Sequence, residues 1–104
     1  MISYTVLLSE PAARDLSEIA RYIAHELREP AAALRLVKKI RSAVMSLAEL
    51  PTRHGPVADA RLCALGVRML QVDGYLAFYN VSEGDHTVTV IRILYGRRDW
   101  EHIL

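Results

Sequence analysis

The chain has 104 residues, 52% of them hydrophobic and 24% charged, which suits one folded domain over 1–104 and excludes extended disorder. Its 13 Lys and Arg against 12 Asp and Glu leave a formal charge of +1, without the basic surplus that supports general binding to nucleic-acid phosphates. One cysteine, Cys63, excludes an internal disulfide and a cysteine-rich zinc module, and the apolar runs are too short to cross a bilayer.

In chain order, residues 2–8 (Ile-Ser-Tyr-Thr-Val-Leu-Leu) are β-branched, aromatic or aliphatic and predict a first strand. Ser9 is placed to cap a helix, with Glu10 and Pro11 in its first turn. Ala12, Leu16, Ile19, Ala20, Ile23 and Leu27 recur at helical spacing as its apolar stripe. Glu29-Pro30 ends that helix. A second begins at once, with Leu36, Ile40, Ala43, Val44 and Leu47 inward, so the pair should form an antiparallel hairpin.

Pro51 stops the second helix, and the adjoining "PTRHGPVADA" has the composition of a surface loop. The period then changes to that of strands. "LGVRMLQV", the turn Asp73-Gly74 and "YLAFYNVS" predict a hairpin, and Glu83-Gly84-Asp85 turns into "HTVTVIRILY". Strict alternation would place Val88, Val90, Arg92 and Leu94 on one face of the last strand, with Thr89, Ile91, Ile93 and Tyr95 on the other. Both sets are mainly apolar beyond residue 90, as in a strand covered on both sides. The fold class is α+β: a strand, a helical hairpin and a three-stranded meander.

Four ordered segments, "SEPAARDLSEIARYI", "LAELPTRHG", "GVRMLQVDGYLAFYNV" and "VTVIRILYGRRDWEHIL", together resemble the RelE/ParE superfamily of toxins from type II toxin–antitoxin pairs. The resemblance covers nearly the whole chain. It implies a four-stranded sheet on a helical hairpin, and an antitoxin partner encoded by the adjacent gene. It also implies two alternative activities. RelE-like members enter the ribosome and cleave messenger RNA, whereas ParE-like members inhibit DNA gyrase without hydrolysis. Attack of a ribose hydroxyl on the neighbouring phosphate needs a proton acceptor, a proton donor and cations around the developing charge.

For a nuclease, the resemblance offers Arg68 on the first meander strand, Arg98 after the last strand and His102 for proton transfer. The pattern departs from that branch elsewhere. Leu76 stands where an arginine commonly follows "G-Y", and no tyrosine follows Tyr95. These departures favour the ParE-like activity, with an inert antitoxin-binding protein as a third alternative. In either toxin branch the C-terminal segment is expected to carry the activity. Arg97 and Arg98 come directly after a rigid strand, Arg92 either joins their patch or is buried and paired, and Trp100 holds the segment down or anchors a partner.

Two other groupings carry less. Cys63, His54 and Asp59 lie in or near one loop, but a catalytic triad is defined by convergence in space, not by proximity in sequence. The four histidines are scattered without metal-ligand spacing, so no metal or other cofactor is expected. Met1-Ile2-Ser3-Tyr4 lacks the basic and apolar regions of a signal peptide, so the expected location is the cytoplasm, away from the membrane.

Overall fold

The computed structural model describes residues 3–55 and 59–96. Strand β1 (Thr5–Leu8) is followed by helix α1 (Glu10–Arg21), which continues through a π-helical turn at Tyr22–Glu26. Helix α2 (Pro30–Met45) leads into 3₁₀ turns at Ser46–Ala48 and Pro51–Arg53 and a short helix α3 (Ala60–Ala64). The meander consists of β2 (Arg68–Val72), β3 (Tyr75–Ser82) and β4 (Thr87–Tyr95). The sheet order is β1-β4-β3-β2, with β1 parallel to β4 and the other pairs antiparallel.

The junction between β1 and α1 is set by one residue. The Ser9 hydroxyl accepts the Ala12 N–H at 3.1 Å, capping the helix, and donates to the Ile91 carbonyl at 2.7 Å. Its backbone N–H donates to the Val90 carbonyl at 2.9 Å. Beyond Val90, β4 has lost β1 as a neighbour, and α1 takes over that edge. Asp15 Oδ2 accepts the Ile93 N–H at 3.0 Å, so a buried carboxylate replaces the missing ladder bond.

Leu27 departs from its expected place. It is 53% exposed, because the π-helical turn widens the helix just before it and rotates Leu27 out of the stripe. The turn closes with Leu27 N–H on the Tyr22 carbonyl and Glu29 N–H on the Ile23 carbonyl, and Arg28 takes a positive φ of 53°. Ala12, Leu16, Ile40, Val44 and Leu47 are buried as predicted, against Val72, Tyr79, Val88 and Val90 of the sheet.

The alternation expected along β4 is also corrected. Tyr79 pairs with Val90 and Phe78 with Arg92, so Ile91 is an extra residue at a bulge. The inserted residue reverses the phase. Val88, Val90 and Ile93 therefore enter the core beneath the helical hairpin, while Ile91 and Leu94 join a second cluster on the opposite face.

That second cluster comprises Leu62, Val67, Leu76, Phe78 and Leu94, with Met69 and Ile91 beside it. Its cover, α3, lies where the sequence predicted only a loop running into a strand. Asp59 caps it through the Leu62 N–H at 3.0 Å. Gly66, at φ +78°, ends it while Val67 N–H reaches back to the Leu62 carbonyl. A helix of five residues is too short to show a 3.6-residue period, so only the caps could have announced it.

Candidate functional site

Of the residues expected to act, Arg97, Arg98, Trp100 and His102 lie outside the described residues. Arg68 and Arg92 are both placed, and both are engaged. Arg68 Nη1 donates to the carbonyls of His54 at 2.6 Å and Thr52 at 3.3 Å, pinning the segment around them against β2. Tyr79, fully buried, donates its hydroxyl to the Pro51 carbonyl at 2.6 Å and holds the same segment from below. Arg53 Nε donates to His54 Nε2 at 3.2 Å. Burial and then the neighbouring Arg53 charge lower the His54 pKa, so the ring favours the neutral form.

Arg92 meets Asp15 through two parallel bonds, Nε to Oδ2 at 2.7 Å and Nη2 to Oδ1 at 2.8 Å. The hydrogen bond to Asp15 raises the guanidinium pKa still further, against a smaller opposing effect of burial. This arrangement belongs to the α1–β4 junction: the same carboxylate holds Arg92 and the Ile93 N–H. Asp59 is occupied by its cap and Cys63 is exposed and free, so the grouping with His54 is not joined by any hydrogen bond among them.

On the sheet face away from the hairpin, β2, β3 and β4 carry the second apolar cluster. Among the described residues that face presents Met69, Leu76, Phe78, Ile91 and Leu94, packed with Leu62 and Val67, and its cation, Arg92 opposite Phe78, is bound by Asp15. It is a core, not a cationic cleft. No group of three His, Cys, Asp or Glu suited to a metal occurs among the described residues. Nor, among them, is any helix long and apolar enough to cross a membrane.

The open surfaces lie elsewhere. Along β1 and α2, Val6, Leu8, Leu16, Ile40, Val44 and Met45 line a groove of about 220 Å³. Leu7, Leu8 and Met45 are 51%, 38% and 57% exposed, and among the described residues β1 has β4 as its one neighbour in the sheet. A strand edge flanked by exposed aliphatic side chains is a template for another chain. At the other end of the hairpin, a cavity of about 630 Å³ is lined by Asp15, Glu18, Ile19, Tyr22, Leu27, Tyr75 and Tyr95, among others. Tyr75 and Tyr95 are cross-strand partners whose ring centroids lie 5.4 Å apart at 61°. Burial and then the nearby Tyr95 and Tyr22 raise the Tyr75 pKa.

Sequence reasoning passed over these tyrosines. The turn that joins β3 to β4, after Ser82, would by itself oppose Tyr75 to Leu94, and the extra residue at the Ile91 bulge moves the partner to Tyr95, so the pairing could not be read from turn and alternation alone. Gly74 has a separate role, because a Cβ there would stand 3.1 Å from the Tyr95 ring. The turn residue with positive φ is Asp73, at 53°.

Comparison with known proteins gives consistent results. The sequence model described as ParE toxin of type II toxin–antitoxin system, parDE, matches residues 6–100. Among solved structures, the chromosomal ParDE toxin–antitoxin system of P. aeruginosa aligns at 22% identity and a TM-score of 0.75. That alignment covers 91% of this chain and 98% of the other. The toxin–antitoxin complex RelBE2 of Mycobacterium tuberculosis aligns at 22% identity and 0.59, covering 91% and 93%. An arginine-to-alanine double mutant of the E. coli toxin RelE in the free state aligns at 14% identity and 0.63, covering 97% and 92%. At these identities the structural likeness shows the fold. No curated protein matches the sequence significantly.

Proposed function

The chain belongs to the ParE toxin family of type II toxin–antitoxin systems, and from that premise we propose that it arrests growth by binding and inhibiting DNA gyrase. The observation that carries the choice against messenger RNA cleavage is the sheet face opposite the hairpin. Leu76, Phe78 and Leu94 are 8%, 0% and 2% exposed there, under Leu62 of α3. Loss of one preorganised charge-stabilising donor typically lowers a rate by about 10²–10³. Here Arg92, opposite Phe78 on that face, is paired with Asp15, and Arg68 is held by loop carbonyls.

The partner that restrains such a toxin is its antitoxin, and the β1 edge with its flanking groove suits it. An added strand would pair with β1, and an amphipathic segment would cover Leu7, Leu8 and Met45. Contact with the target is assigned to the segment after Gly96, through Arg97, Arg98 and Trp100. Arg92, clamped by Asp15, helps hold the strand from which that segment leaves.

The test is induction of the toxin in cells with two readouts followed together. Loss of plasmid supercoiling before any codon-positioned cuts appear in messenger RNA is the expected result. Prompt cuts by primer extension, with supercoiling unchanged, would make the chain a ribosome-dependent nuclease. Arg98→Ala is expected to abolish growth arrest while leaving antitoxin capture intact.

A further inference from the structure

The cavity between α1 and the ends of β3 and β4 has a chemistry of its own. Its two carboxylates are unequal in availability. Asp15 is neutralised by Arg92 through two hydrogen bonds. Glu18, one turn further along α1, also lines the cavity. Its charge acts on Arg92 through space, but no hydrogen bond or ion pair engages its carboxylate among the described residues. The walls beside it are Tyr22, Tyr75 and Tyr95. The last two stand at 61° to one another and so present two non-parallel ring faces.

A purely apolar occupant would strip water from Glu18 and leave a charge unpaired, and an anionic occupant would be repelled. A cation meets both demands. It pairs with the carboxylate and is attracted by tyrosine faces within about 6 Å of its centre. A planar guanidinium adds stacking and a fork of donors that an ammonium lacks. The volume of about 630 Å³ falls within the range of built ligand sites. Its rim is open, with Tyr22 at 55% and Leu27 at 53% exposure. That shape suits a side chain projecting from a polypeptide that lies across the rim on these apolar groups. The π-helical turn at Tyr22–Glu26 sets both rim residues outward, and such turns recur at functional sites.

We propose that this cavity receives an arginine side chain from a protein partner, with Glu18 pairing its charge and Tyr22, Tyr75 and Tyr95 stacking on its guanidinium. The proposal rests on the chain acting through a protein partner, not on which cellular target it arrests.

The experiment titrates the full chain, labelled on its tyrosine rings for NMR, with N-acetyl-arginine amide and with N-acetyl-citrulline amide, its neutral counterpart. Saturable shifts of the Tyr22, Tyr75 and Tyr95 rings are expected with the arginine probe. Binding should be about fivefold weaker with the citrulline probe, and about fivefold weaker for Glu18→Gln, the scale of one exposed ion pair. Glu18 is exposed, so thermal melting should not change in that variant. Equal binding of the two probes, or an unaltered affinity in Glu18→Gln, overturns the proposal. So does close contact of the three rings with residues 97–104 in the free chain, which would mean that the cavity is filled from within. If the probe binds as expected but the chain neither captures an antitoxin nor arrests growth, the cavity assignment stands and the toxin reading falls. Growth arrest with no probe binding removes the cavity assignment alone.

Discussion

The two ends of the helical hairpin and the far face of the sheet are finished differently. On the far face, Phe78 and Leu94 are sealed beneath a short helix whose two ends are both capped, with Met69 and Ile91 partly buried beside them. At the hairpin ends, Leu7, Leu8 and Met45 on one side and Tyr22, Leu27 and Tyr95 on the other are left partly exposed. Folding alone would favour covering them, at roughly 25 cal/mol for each Å² of apolar surface removed from water. On the proposed reading, the difference separates the surface that stabilises the chain from the surface that receives a partner.

The largest expected effect comes from opening the closed face. Phe78→Ala removes a fully buried ring and should cost about 3–5 kcal/mol of stability, read from denaturant unfolding. A loss below about 1 kcal/mol would mean that α3 does not seal this face in solution.

Next in size is Asp15→Ala. It orphans Arg92 and the Ile93 N–H together. Breaking a buried pair costs about 3–5 kcal/mol, but the Arg92 side chain is 25% exposed, so water will screen part of it and about 2–3 kcal/mol is expected. Asp15→Asn, which keeps an acceptor, should cost less. Equal losses in the two variants would show that volume rather than hydrogen bonding decides this site.

The open surface should behave in the opposite way. Leu7→Ala is expected to leave stability within about 0.5 kcal/mol and to weaken antitoxin binding by about tenfold, measured by calorimetry, as for a truncated interface anchor. Unchanged affinity would move the antitoxin away from the β1 edge.

The smallest effect is a pH dependence at His54. Its folded pKa lies below the ordinary value of 6.5 because of burial and then Arg53. Between the two values the unfolded chain binds more protons than the folded one. The contribution is therefore present above about pH 6.5 and lost as pH falls through the lower, folded value. His54→Gln should flatten the melting temperature across that interval, and an unchanged slope would assign the dependence to another group.

Much of the fold was legible because its signals were periodic. The stripe from Ala12 to Leu47, the Ser9 cap and the two tight turns each bind sequence to backbone through local rules. Apart from α3, too short to show a period, the failures share a cause: one residue out of phase. The π-helical turn exposes Leu27, and the extra Ile91 exchanges the faces of Ile93 and Leu94. Neither insertion alters composition, so a reading by period could not detect it. The site was less legible, because engagement is a property of distance. Arg68 looked like an available cation and Arg92 stood open between a patch and a buried pair, and only the positions of Thr52, His54 and Asp15 show what holds them.

The most direct test of the central claim uses the purified chain in two reconstituted reactions, gyrase supercoiling of relaxed plasmid and translation on programmed ribosomes. Inhibition of supercoiling at near-stoichiometric toxin, relieved by adding antitoxin, with ribosome-bound messenger RNA intact, is the predicted result. Codon-positioned cleavage of that messenger RNA, with gyrase at full activity, would contradict it.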